Sequence, residues 1–138
     1  MKSYILGAVT GGIEDAEETF TTYKRALKDK VEILGTPLET AKFKGTMQER
    51  FERAKQAIQQ ADVVIAEMST ASTGAGIELG MSYFLGKEIY CFAKEGSKVS
   101  GLIIGMVGEK NVIYYNSLKD LTVKLNSLEF KKVKQNEI

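Results

Sequence analysis

Short apolar runs alternate with helical patterns along the chain. Five apolar runs predict buried strands: SYILGAV (3–9), VEILG (31–35), DVVIAEM (62–68), GKEIYCFA (86–93) and NVIYY (111–115). Helical patterns cover about residues 14–28, 47–60 and 100–107, a glycine-rich segment opens a further helix that ends near 85, and Ser117 is the predicted N-cap of a last helix to about 128. The stretch around Pro37 is predicted to be irregular, and the charged end FKKVKQNEI is predicted to fray.

This alternation predicts an α/β fold with helices on both faces of a parallel sheet. Five strands suit a flavodoxin-like three-layer sandwich of order 2-1-3-4-5, and 138 residues suit a single domain. Ligands in such sheets bind at the carboxyl ends of the strands, between the first and the third. The loops after SYILGAV and DVVIAEM should therefore lie side by side.

Composition excludes several classes of function. A formal net charge of +1 gives no broad electrostatic surface for a nucleic acid polymer or a membrane. The chain has no histidine, which excludes Ser-His-Asp and Cys-His catalysis and most transition-metal sites, so we expect neither a metal nor a cofactor. The one cysteine, Cys91, lies in an apolar run and is predicted to be a buried, reduced thiol, which favours the cytoplasm.

The segment STASTGAGIELG (69–80) places three glycines around one carboxylate, Glu78, at a helix start. A helical side chain leans over the positions three and four residues back, here Ala75 and Gly74, so the carboxylate should overlook an open notch. The positive helix end should keep Glu78 ionised, as a nucleophile requires. Alternatively, Gly74 and Gly76 only allow close packing of helix on strand, and Glu78 is simply solvated.

Other segments around the predicted cleft allow two interpretations each. GAVTGG (7–12) could bind an anion through backbone N–H groups, or could be an ordinary tight turn. One of four hydroxyl residues before the glycines should cap the helix, and the others could bind a sugar or a phosphate. Glu67, after the third strand, could touch a ligand or only hold a loop. The helix containing QERFERAK is predicted to present a solvated face.

Two segments together carry a family resemblance. ILGAVTGG, followed about fifty residues later by QQADVVIAEMSTASTGAGIELGMSYFLGKEIYCF, resembles the nucleoside 2-deoxyribosyltransferase superfamily, and within it the 2′-deoxynucleoside 5′-phosphate N-hydrolases. The resemblance implies that Glu78 is the nucleophile at the anomeric carbon and that Tyr4 orients it. It also implies a homodimer with a composite active site and a small nucleoside or nucleotide as the ligand.

The same resemblance implies a set of substrate-binding positions. Ser72 and Ser100 match serines of the phosphate site, Ser100 standing for the one that a neighbouring subunit contributes. The substrate-binding glycines and the opening-loop residues are Gly74, Gly76, Gly7, Thr10, Gly11 and Gly12.

The chain also departs from the family pattern at two positions. The phosphate-binding arginine of the hydrolases is Thr10 here, and the aspartate that assists the departing base aligns with Ala54, two positions from Glu52. We therefore expect an N-glycosidase or N-glycosyltransferase that acts on a (deoxy)nucleoside or its 5′-monophosphate through a glycosyl-enzyme. The alternatives are a nucleotide-binding sensor with little turnover and a flavodoxin-like domain without a nucleotide site.

Overall fold

Five parallel strands form one sheet in the computed structural model, which describes residues 1–9 and 16–131. The strands are β1 (Lys2–Gly7), β2 (Glu32–Gly35), β3 (Val63–Glu67), β4 (Glu88–Lys94) and β5 (Val112–Tyr115). Their order is β2-β1-β3-β4-β5, which confirms the predicted topology. β1 pairs with β3 so that Gly7 lies opposite Glu67. The carboxyl ends of these two strands are therefore neighbours, as the switch-point argument requires.

Helices cover both faces of the sheet. They are α1 (Ala16–Leu27), α2 (Pro37–Lys42), α3 (Met47–Gln60), α4 (Thr73–Phe84), α5 (Gly101–Val107) and α6 (Leu118–Asn126), with a 3₁₀ turn at Glu109–Asn111. Alternate strand residues point to opposite faces. Tyr4 and Leu6 pack in the core under α3, α4 and α5, whereas Ile5 packs with Phe20 and Leu121 under α1 and α6. In the described part of the chain, no helix has the length and apolar character needed to cross a bilayer.

The prediction of an irregular stretch after Pro37 was wrong, because residues 37–42 form α2. Thr36 caps this helix by accepting a hydrogen bond from the N–H of Leu38, and Pro37 occupies the first turn, where its missing N–H is not needed. A helix of six residues is too short to give a periodic pattern, so only these capping signals could have identified it. The predicted start of the first helix near Glu14 and most of the predicted frayed end lie outside the described residues.

Candidate active site

Tyr4 and Glu78 meet between β1 and α4. The Tyr4 hydroxyl donates a hydrogen bond of 2.5 Å to Oε2 of Glu78. Tyr4 is buried in the core beneath α4, and Glu78, in the second turn of that helix, is partly buried. The other carboxylate oxygen, Oε1, has no hydrogen-bond partner among the described residues. One oxygen of Glu78 is thus fixed, and the second is available to a ligand.

The electrostatics of Glu78 differ from the sequence-based expectation. Burial raises the pKa of Glu78, and the hydrogen bond from Tyr4 opposes that rise without cancelling it. The positive helix end therefore does not dominate the ionisation of this carboxyl group. Burial and the charge of Glu78 also raise the pKa of Tyr4, so the phenol keeps its proton and acts as a donor.

The glycines of α4 face open space. A methyl group added at Gly74, Gly76 or Gly80 would meet no atom of the described residues within 4 Å. Close packing of the helix on a strand therefore does not explain Gly74 and Gly76. Gly74 is four residues before Glu78 and shares its face of α4, so its bare surface leaves room for another molecule beside the carboxylate. Gly76 lies two residues before Glu78, on another side of the helix.

An open cavity of about 350 Å³ lies beyond the N-terminus of α4. Ser72 caps α4 by accepting a hydrogen bond of 3.2 Å from the N–H of Ala75, and Ser100 accepts one of 3.3 Å from the N–H of Leu102 at the start of α5. Both serines line the cavity together with the exposed Lys98. One chain therefore brings the two predicted phosphate-site serines together, although the resemblance assigned Ser100 to a neighbouring subunit.

A second, narrower recess lies on the other side of Tyr4, between β2, α2 and α3. Ala54 lines it, at the position that the resemblance pairs with the base-assisting aspartate. Glu52 instead forms an ion pair of 3.1 Å with Lys55 and does not line the recess. Arg50 and Arg53 do line it. Arg50 is half-buried, so the predicted solvated face of α3 was wrong for this residue, whereas Arg53 is exposed.

Gly7 has a packing role that the sequence does not reveal. A methyl group at this position would lie 2.7 Å from the ring of Phe20 and 3.0 Å from the backbone oxygen of Glu67. Close approach of β1 to α1 and β3 therefore requires glycine here, whatever the loop beyond it binds. Thr10, Gly11 and Gly12, the rest of the predicted anion-binding loop, lie outside the described residues.

Glu67 holds a loop and does not face the cleft. It is only 1% exposed and accepts hydrogen bonds from the hydroxyls of Tyr23 (2.6 Å) and Tyr115 (2.8 Å). Its other oxygen accepts the N–H of Ser69 at 2.9 Å and the Ser69 hydroxyl. Of the two interpretations of Glu67, the structure supports the loop-holding one.

The sequence is similar to that of a family of known proteins. A family model described as nucleoside 2-deoxyribosyltransferase matches residues 5–119. A 5-hydroxymethyl-dUMP N-hydrolase of Tetraodon nigroviridis is 30% identical over 118 residues, covering 76% of this chain and 80% of that protein. The Mus musculus protein of the same name is 32% identical over 110 residues, which cover 74% of this chain and 64% of that protein.

Solved structures share the fold. A CMP N-glycosidase of Clostridium botulinum superposes with a TM-score of 0.69 at 23% identity, over 91% of this chain and 98% of that one. The 2-deoxyribosyltransferase of Bacillus psychrosaccharolyticus gives 0.65 at 20% identity, over 93% of each chain. These likenesses extend the family match to the three-dimensional architecture. The chain belongs to the nucleoside 2-deoxyribosyltransferase family.

Proposed function

We propose that this protein cleaves the N-glycosidic bond of a (deoxy)nucleoside 5′-monophosphate, with Glu78 as the nucleophile. The observation that carries the proposal is the 2.5 Å hydrogen bond from Tyr4 to Glu78 beside the open surface of Gly74. A carboxylate that is held by one oxygen and faces free space with the other is arranged to attack a carbon atom. Water is the proposed acceptor, because the curated relatives are named as N-hydrolases.

The reaction would proceed in two displacements, as in a retaining glycosidase. Oε1 of Glu78 attacks the anomeric carbon while the base departs, through a transition state with oxocarbenium character. Tyr4 remains a donor to Oε2 and keeps the carboxylate oriented, so it is a positioning residue. Water then hydrolyses the glycosyl-enzyme, which releases the sugar phosphate and restores the carboxylate.

The two cavities support one orientation of the substrate. Tyr4 lines the recess that contains Ala54, whereas Ser72 lines the cavity that contains Ser100 and Lys98. Ser72 and Glu78 are separated by roughly 9 Å along the helix axis, at a rise of 1.5 Å per residue. A ribose 5-phosphate can span this length, with its phosphate near Ser72 and its base directed toward Ala54.

A homodimer is part of the proposal. α5 has no buried residue although its sequence, GLIIGMV, is apolar, and its Leu102 is 86% exposed. On the adjoining α4, Ile77 and Phe84 are 54% and 85% exposed. This exposed apolar surface of α4 and α5 lies on a different face of α4 from Glu78. We expect it to pack against a second copy of the chain and so place a partner beside the active site.

Light scattering tests the dimer directly. Wild type should have the mass of two chains, and replacing Phe84 or Leu102 with Asp should give folded monomers. A wild type that stays monomeric at high concentration contradicts the dimer.

The proposal also places the protein in the cytoplasm, where a free buried thiol such as Cys91 stays reduced.

A second function has one observation in its favour. Ala54 lines the recess where the family resemblance expects an acid, and an enzyme without that acid could be a nucleotide-binding sensor with little turnover. Release of free base separates the two functions. Nucleotide binding without base release supports the sensor and contradicts the hydrolase.

Free base is measured by chromatography over a panel of nucleosides and 5′-monophosphates. Wild type should release base, and Glu78→Gln should bind the same nucleotide without releasing it. Glu52→Gln is the matched control, because Glu52 is a glutamate outside both cavities and should keep full activity. A 2-fluoro-sugar nucleotide should add its sugar mass to the peptide containing Glu78. Turnover by Glu78→Gln close to that of wild type overturns the mechanism.

A further inference from the structure

Two arginines line the recess where an acid was expected, one half-buried and one exposed. Arg50 and Arg53 line it on the same helix as Ala54. The Nε atom of Arg50 is buried and has no hydrogen-bond partner in the described part of the chain. Within those same residues, neither arginine forms an ion pair. A buried donor without a partner is costly, so the missing partner is expected to come from a ligand.

Arg53 is close to the reacting groups. The guanidinium of Arg53 lies over the ring of Phe43, 5.0 Å from its centroid, which holds the charge at the edge of the recess. Burial raises the pKa of Tyr4, and the charge of Arg53 is among the groups that oppose the rise. Arg53 is therefore near enough to act electrostatically at the hydroxyl that binds Glu78.

Glu39, the carboxyl group that also lines this recess, is a poor proton donor. Burial tends to raise the pKa of Glu39, but hydrogen bonds from Thr36 and Lys24 outweigh burial and lower it overall. Lys24 also forms an ion pair of 3.1 Å with it. Glu39 therefore stays ionised near neutral pH and cannot replace the missing aspartic acid.

We propose that Arg50 and Arg53 stabilise the departing base as an anion, in place of a general acid. The inference rests on the proposed function. Arginine carries five N–H donors and no acceptor, so it suits a base that presents carbonyl oxygens. Uracil is a base of this kind, because its oxygens share the negative charge when the glycosidic nitrogen departs.

The electron balance needs only water. Oε1 of Glu78 forms a bond to the anomeric carbon, and the bond from that carbon to N1 breaks. The electron pair moves to N1 and is shared with O2, where the guanidinium groups donate hydrogen bonds. A water molecule then protonates the base and becomes hydroxide. The hydroxide attacks the anomeric carbon of the glycosyl-enzyme, and the bond from that carbon to Oε1 breaks, which restores the Glu78 carboxylate.

A series of leaving groups tests the proposal. dUMP, 5-bromo-dUMP and 5-fluoro-dUMP carry uracils that differ in how well they bear negative charge. Arg50→Gln and Arg53→Gln should each lower kcat/KM for dUMP roughly tenfold to a hundredfold, with a smaller loss for the halogenated substrates. Arg25→Gln is the matched control, because Arg25 is an exposed arginine of α1 that lies outside this recess. An equal loss for all leaving groups, or none, overturns the proposal.

Binding of a free base gives a second readout that does not depend on turnover. 5-Nitrouracil is anionic at neutral pH and uracil is neutral. Wild type should bind the anion more tightly, and Arg50→Gln should lose that preference.

Base release by wild type without anion preference overturns the arginine proposal and leaves the hydrolase standing. Anion preference without base release supports the arginine site and overturns the hydrolase. The arginine variants are also compared on nucleosides and on their 5′-monophosphates. If the variants lose activity only on the monophosphates, whatever the base, the arginines bind phosphate, which also overturns the proposal.

Discussion

The Tyr4 hydroxyl donates a 2.5 Å hydrogen bond to Glu78, although 74 positions separate the two residues in sequence. β1 carries Tyr4 on the face that α4 covers, and the second turn of α4 carries Glu78. Burial raises the pKa of this carboxyl group, and the phenol is the group that opposes the rise. The pair therefore sets both the direction and the ionisation of the proposed nucleophile.

Tyr4→Phe should shift the pH dependence of base release. Without the phenol, burial acts unopposed and the pKa of Glu78 rises further, so the rising limb of kcat/KM against pH should move to higher pH. Since a hydrogen bond to a charged group contributes roughly 1.5–3 kcal/mol, kcat/KM should fall about tenfold to a hundredfold. Tyr114→Phe is the control, because Tyr114 is exposed and its hydroxyl makes no hydrogen bond to the described residues. An unchanged limb in Tyr4→Phe argues against an electrostatic role.

Glu78→Gln should stabilise the fold while it abolishes base release. The pKa of Glu78 is raised in the folded protein, so the native state binds the carboxyl proton more tightly than the unfolded chain does. This carboxyl group therefore contributes less stability as the pH rises through its pKa. At neutral pH the amide avoids that penalty, and the melting temperature should exceed that of wild type. Below about pH 4, where the carboxyl is protonated in both states, the difference should shrink. A lower melting temperature at neutral pH would contradict this account.

Sequence patterns predicted the sheet, and the family resemblance predicted the Tyr4–Glu78 pair, but neither predicted the surroundings of that pair. The order of the strands follows from apolar runs and chain connectivity, which are local signals. The position of Arg50 and Arg53 at the recess was missed for a different reason. A charged helical stripe has the same pattern whether it faces water or lines a recess, and only the placement of α2 against β1 decides between them. Burial of Glu78 is likewise a property of the packed helix and not of the motif.

Tyr23→Phe should destabilise the fold through Glu67. This carboxylate is 1% exposed, and its Oε2 accepts hydrogen bonds from the hydroxyls of Tyr23 and Tyr115. Removing the Tyr23 hydroxyl leaves that buried oxygen with one hydrogen bond fewer. We expect a loss of about 1–3 kcal/mol in the free energy of unfolding, measured by urea denaturation. Tyr114→Phe again serves as the control and should stay within about 0.5 kcal/mol of wild type. A loss no larger than that in Tyr23→Phe would show that water replaces the phenol.

Substitutions at Gly74 should separate ligand space from folding. The chain places nothing within 4 Å of an added methyl group there, so Gly74→Ala should leave the melting temperature unchanged or raise it, because alanine favours a helix by roughly 1 kcal/mol. Nucleotide affinity, measured by calorimetry, should fall from glycine to alanine to valine as the notch fills. Unchanged affinity in a folded Gly74→Val protein refutes the proposal that a sugar lies against this surface.

Lys98 should set the preference for a 5′-phosphate. It lines the cavity that contains Ser72 and Ser100, whereas the nearby exposed Lys94 does not. One charge-assisted contact is worth roughly tenfold or more in affinity, so Lys98→Gln should reduce the affinity ratio of monophosphate to nucleoside by about that factor, and Lys94→Gln should not. The ratio should also fall with added salt in wild type, because exposed charges are screened.

Thr10→Arg, placed in the Lys98→Gln background, should then restore the preference if the opening loop faces the same phosphate. Recovery of the ratio supports a shared phosphate site that Lys98 serves in place of the family arginine. A ratio unaffected by Lys98→Gln means that the phosphate lies elsewhere, which would contradict the proposed substrate orientation along α4.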